Sequence, residues 1–152
     1  MRKSSDVKNK KVGVAQRNKK TKALAYRQVV KPELSKKLYG LIYQRIVVQR
    51  KYSDPDYSAK QLAEELGTNT RYLSAVINSN FGKNFSTLVN ELRVNDAKQM
   101  FRSTSYNNLR IEDIGLKVGF STRQCFYTAF NKYVGMTPRQ YRMRCKPRLK
   151  VV

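Results

Sequence analysis

Histidine is absent from this chain of 152 residues, and cysteine occurs only twice, as Cys125 and Cys145. Without imidazole there is no Cys/His zinc finger and no histidine acid–base catalyst. Two cysteines are too few for a disulfide framework, and the expectation is a pair of reduced thiols in a cytoplasmic setting. No apolar run reaches the roughly 18 residues of a transmembrane helix, so membrane insertion is not expected. The N-terminus is basic but lacks the apolar stretch of a secretory signal. There is no glycine-rich phosphate loop, paired-carboxylate constellation or nucleophile elbow. Neither an enzyme nor a bound cofactor or metal is expected.

Acidic side chains are also scarce. Ten Asp and Glu face 32 Lys and Arg, which leaves a formal net charge of +22. A surface of that sign attracts polyanions and gains from the counterions released when phosphates are neutralised. An anionic membrane surface and plain solubility are the competing readings of the charge.

What is present, twice, is the grammar of a helix-turn-helix: an apolar-periodic run, a glycine, a small polar capping residue and a second helical run. The first copy is Ser58–Asn78 and the second is Ile111–Phe130. In such units the second helix can enter the major groove. Two copies in a strongly basic chain point to double-stranded DNA.

The rest of the chain reads as all-α, with about seven helices and no sheet. Residues 1–31 hold eleven Lys/Arg against one acid, Asp6, without sustained apolar period. They are expected to form a basic flexible tail or linker. A first helix is predicted from Pro32 to Tyr52, with Leu34, Leu38, Leu41, Ile42 and Ile46 as its apolar stripe. Ser58 and Gln61 make a capping box, with Tyr57 and Leu62 placed as a hydrophobic staple. Gly67 ends that helix and Asn69 caps the next, which buries Leu73, Val76 and Ile77.

The predicted boundaries are a first unit over about 58–80, a long linker helix over about 86–101 and a second unit over about 111–133. All lie within a domain of 32–146, followed by a short tail at 147–152. Candidates for the linker helix's buried face are Leu88, Val89, Leu92, Ala97, Met100 and Phe101. Ser103–Asn108 reads as a polar loop. In the second unit Ile114, Leu116 and Val118 are expected to pack inward. Gly119 makes the turn, and Ser121 with Gln124 forms a further capping box. Phe126, Ala129, Phe130 and Tyr133 then form an apolar stripe. Gly135 closes that helix, and Thr137 with Gln140 caps a last one over Pro138–Arg144.

At this point the chain resembles the AraC/XylS family of bacterial transcription regulators, over about Leu38 to Met143. The most specific part is Ile111-Glu-Asp-Ile-Gly-Leu-Lys-Val-Gly-Phe-Ser, continuing to Phe126, Phe130, Gly135, Thr137-Pro138 and Tyr141-Arg142. The helix containing Leu92-Arg93 and Ala97 is similar to that family's linker helix. The resemblance implies a sequence-specific regulator whose two recognition helices enter successive major grooves about 34 Å apart. The starts of its third and sixth helices, near Asn69 and Ser121, would then face one stretch of duplex. It also admits RNA polymerase and a separate effector domain as partners, and association with the nucleoid. The alternative is a nonspecific architectural DNA-binding protein. Three departures stand out. Gly115 replaces the usual alanine, which predicts a soft helix. Arg110 replaces a Ser-like cap, which predicts a poorly capped one. Ser74 and Ala75 sit where longer polar side chains often read bases, and Ala75 could offer only apolar contact, for instance to a thymine methyl.

Base contacts are expected from Thr70, Arg71, Ser74 and Asn78 in the first unit, and from Thr122, Arg123, Gln124, Tyr127 and Thr128 in the second. Arg123 is the leading candidate, while Gln124 has a rival duty in its capping box. Cys125 aligns with a family contact position, although a small thiol there also suits packing. Phosphate contacts are expected at the helix starts Ser58, Ser121 and Thr137, with Lys60, Lys83 and Arg139 adding charge.

Overall fold

The computed structural model describes residues 32–145, so both expected tails lie outside the described residues. Among the described residues there are seven α-helices and no strand. They are α1 (Pro32–Tyr43), α2 (Ala59–Glu65), α3 (Thr70–Phe81), α4 (Phe85–Arg102), α5 (Ile111–Lys117), α6 (Arg123–Val134) and α7 (Pro138–Cys145). None of the described helices is long and apolar enough to cross a membrane.

The chain builds two apolar cores, one at each end of α4. Leu38, Ile42 and Ile46 close the first against Leu62, Leu73, Val76, Ile77, Leu88 and Val89. Val94, Ala97 and Phe101 close the second against Ile114, Val118, Phe126, Phe130 and Tyr141. With 18 residues, α4 spans about 27 Å at 1.5 Å per residue. Of its expected buried face, Leu88, Val89, Ala97 and Phe101 are buried, whereas Leu92 and Met100 are half-buried.

The first helix is shorter than predicted. After Tyr43 the backbone widens into one π-helical turn at Gln44–Val48, and Arg50 takes a left-handed φ of +53°. A short 3₁₀ turn, Lys51–Ser53, follows. A non-glycine residue in that region costs about 1–2 kcal/mol. Tertiary pairing offsets it: Arg50 Nη2 lies 2.6 Å from Asp96 on α4, and the Tyr52 hydroxyl donates to the same carboxylate at 2.7 Å. The apolar stripe also needs correction, because Leu34 (50% exposed) and Leu41 (42%) face out.

Asp96 is one of two charged side chains buried on α4; Arg93 is the other. Arg93 donates to the carbonyls of Tyr52 at 2.7 Å and Asp54 at 2.9 Å. Burial pulls its pKa down, with Asp54 opposing that shift. Its guanidinium also lies 5.6 Å from the Phe120 ring centroid. The second unit is seated on the same spot. A Cβ on Gly119 (φ +108°) would fall 2.6 Å from the Tyr52 carbonyl and 2.8 Å from Arg93 Nε. The two modules are therefore tied through α4 and the Lys51–Ser53 turn, not merely strung along a rod.

Candidate nucleic-acid interface

The first helix-turn-helix is assembled as its residues dictate. Ser58 Oγ accepts the N–H of Gln61, and the Gln61 side chain accepts the N–H of Ser58, so the capping box closes. Tyr57 and Leu62 share the first core. Gly67 (φ +63°) turns the chain, and Asn69 Oδ1 accepts the N–H of Tyr72 at 2.8 Å. With Leu73, Val76 and Ile77 buried, α3 presents Thr70, Arg71 and Asn78 to solvent, and Ser74 is half-buried. Ala75 is only 1% exposed and belongs to the core. Even the apolar contact considered for it is therefore not offered, because the packing of α3 turns that position inward.

The second unit departs more from expectation. Leu116 is 54% exposed, because it lies about 200° around α5 from the buried Ile114. The start of α5 is better held than predicted. Asp113 accepts the backbone N–H of Arg110 at 3.3 Å and pairs with Nε and Nη2 of the same residue at 3.0 Å each. Arginine has no acceptor to return the bond, so this is half a capping box. The pairing holds the Asp113 carboxyl below the usual carboxylate range. Nor is Gly115 merely a weak helix former: a Cβ there would sit 2.6 Å from Cδ1 of the buried Phe126 ring.

The cap of α6 is also displaced by one residue. Thr122, not Ser121, is the N-cap, and its Oγ1 accepts the N–H of Cys125 at 3.2 Å. The Ser121–Gln124 capping box does not form, which frees the exposed Gln124 from its rival duty. Arg123, Gln124, Cys125 and Thr128 are exposed, so the Cys125 thiol is not packed away. Tyr127 is half-buried, with its ring edge-on to Phe126 at 5.9 Å. Arg123 stacks over the Tyr127 ring at 5.0 Å, and its Nε lies 3.3 Å from Glu112.

Two grooves flank α6. One, of about 410 Å³, is lined by Asn90 of α4, Ser121, Gln124, Thr128 and Lys132. The other, of about 590 Å³, is lined by Arg110, Glu112, Arg123, Tyr127 and Arg139 beside Thr137. Thr137 and Gln140 close the capping box of α7 as predicted. Arg142 is engaged as a brace, donating to the carbonyls of Leu109 at 2.6 Å and of Asn107. Among the phosphate candidates, Lys60 is exposed and only loosely paired with Glu64 at 3.9 Å. Lys83 differs, because its ammonium is bonded to Glu91. Sequence reading missed Glu112 and Lys132. Helical spacing supplied a clue to Lys132, four residues beyond Thr128 on the face of Gln124. The Glu112–Arg123 pair depends on two helices meeting and carried no such clue.

Comparison with known proteins is consistent with this geometry. A family model described as a helix-turn-helix domain matches residues 62–144. The melibiose operon regulatory protein of Escherichia coli (strain K12) is 29% identical over 89 residues, which are 59% of this chain and 28% of that protein. The chain thus spans less than a third of that relative's length. The C-terminal domain of AraT, a response regulator from Geobacillus stearothermophilus, superposes with a TM-score of 0.62 at 31% identity, covering 74% of this chain and 89% of that one. An AraC-type DNA-binding transcriptional regulator from Chromobacterium violaceum gives a TM-score of 0.53 at 28% identity, covering 60% and 79%. From its paired helix-turn-helix units to its matched family model, the chain belongs to the AraC-type family of helix-turn-helix DNA-binding transcription regulators.

Proposed function

We propose that this protein is a sequence-specific regulator that inserts α3 and α6 into successive major grooves of one duplex. The observation that carries the reading is that both second helices keep polar N-terminal faces in solvent while their opposite faces close two separate cores. Thr70, Arg71, Ser74 and Asn78 read bases from α3. Thr122, Arg123, Gln124, Tyr127 and Thr128 do so from α6. Free backbone N–H groups in the first helical turns after Ser58, Thr122 and Thr137, with Lys60 and Arg139, hold phosphate. DNA-binding elements run through 32–146, and contacts to RNA polymerase or to a separate effector domain would sit outside these faces.

A net charge of +22 favours one rival, a nonspecific architectural role. Selection of bound sites from a random duplex library, followed by affinities for selected and random duplexes at two salt concentrations, separates the two. Specific regulators discriminate by about 10³ or more. A ratio near unity would favour the architectural role.

A further inference from the structure

We infer that Glu112 is a specificity-determining residue, a carboxylate set in the basic groove that holds Arg123 for a base edge and discourages its capture by phosphate. The inference rests on the reading of α6 as a base-contacting helix.

Two contacts hold the Arg123 guanidinium. Glu112, in the first turn of α5, takes the Nε edge at 3.3 Å. The Tyr127 ring takes one face at 5.0 Å, and that ring is itself seated on the buried Phe126. The two Nη groups remain as a fork. Such a fork fits guanine O6 and N7, and it fits two phosphate oxygens equally well.

Charge distinguishes these partners. A base edge offers partial charges, whereas phosphate carries a full negative charge that a neighbouring carboxylate repels. The groove also holds Arg110 and Arg139. Asp113 is already paired bidentately with Arg110. Glu112 is therefore the acid of this groove that bears on Arg123, while Arg139 remains for phosphate. The Arg123 and Glu112 side chains are 67% and 37% exposed, so their pairing biases the guanidinium without locking it.

The test compares Glu112→Gln with Glu33→Gln, which removes an equal charge from the exposed start of α1. Both are measured on random duplex and on a selected duplex across a salt series, in the wild-type and Arg123→Ala backgrounds. Glu112→Gln should tighten random-duplex binding about threefold beyond the control. It should steepen the salt slope by about one and reduce preference for the base pair read by Arg123 by a similar factor. In the Arg123→Ala background the excess over the control should vanish. A Glu112→Gln variant that merely tracks Glu33→Gln, or an excess that persists without Arg123, overturns the inference. Failure of the base-reading assignment shows separately, as an Arg123→Ala variant that keeps its full preference for the selected site.

Discussion

The Nε–H of Arg93, midway along α4, donates to the carbonyl of Tyr52 at 2.7 Å across 41 residues of sequence. That carbonyl is also the atom that a Cβ on Gly119 would strike at 2.6 Å. One peptide of the Lys51–Ser53 turn thus meets the long helix and the turn of the second unit together. Arg93→Met keeps bulk and removes both donated bonds, leaving the Tyr52 carbonyl unpaired and the Asp54 carbonyl with only the Tyr57 N–H. The expected loss is about 2 kcal/mol, measured as the shift of the urea midpoint. An unchanged midpoint would mean that Arg93 does not tie the modules together.

Two glycines should respond to alanine in the same direction but to different degrees. Gly115→Ala gains about 1 kcal/mol of helix propensity but forces the Phe126 ring to move, for a net loss of about 1–2 kcal/mol. Gly119→Ala adds backbone strain at φ +108° to its clash with a carbonyl, and about 3 kcal/mol or more should be lost. A Gly115→Ala variant more stable than wild type would show that the Phe126 ring yields easily.

The displaced cap makes a sharp contrast between neighbours. Thr122→Ala removes the acceptor of the Cys125 N–H and should cost about 1 kcal/mol. Ser121→Ala removes no cap and should leave thermal stability nearly unchanged. The reverse ranking would restore the capping box expected from sequence.

On DNA, three basic residues should separate. Arg123→Ala should cost about 1–3 kcal/mol at one base pair and leave other positions alone. Lys60→Ala should weaken every sequence alike and lower the salt slope by about one. Lys83→Ala should do less, because its ammonium is already bonded to Glu91. Competition binding with single-base substitutions checks all three, and equal losses for Arg123→Ala on every duplex would reassign that residue to phosphate.

Alkaline pH should loosen the Arg50–Tyr52–Asp96 cluster. Burial first, then the hydrogen bond to Asp96, raises the Tyr52 pKa well above the ordinary 10. A folded-state pKa above the unfolded one means stability that is whole below about pH 10 and is lost as pH climbs past it. Tyr57, raised by burial and Glu65, adds to the same trend. Tyr52→Phe should be about 1 kcal/mol less stable at neutral pH yet fall less steeply above pH 10. Parallel pH–stability curves for the two proteins would show that Tyr52 is not the group responsible.

Much of this molecule was legible before any coordinates. The all-α class, the capping boxes at Ser58 and Thr137, the cap at Asn69 and the left-handed glycines 67 and 135 are local matters. Each depends on residues within a few positions, and short-range hydrogen bonds and sterics settle them. The exposure of Thr70, Arg71, Asn78, Arg123 and Thr128 follows from helical period once the apolar stripe is known.

Tertiary contact decided the remainder. Helix propensity would carry α1 on to Tyr52, but Asp96, 44 residues beyond Tyr52, draws Arg50 and Tyr52 out of the helix. Ala75 turned inward, Gly115 proved to be a seat for Phe126, and Glu112 reached Arg123 from another helix. Sequence by itself determined that the chain is helical and where most of its caps fall, because those choices are made within a turn or two of chain. Only the packed structure decided which charges pair and which backbones touch, because such pairs are distant in sequence and no local pattern encodes the distance between them.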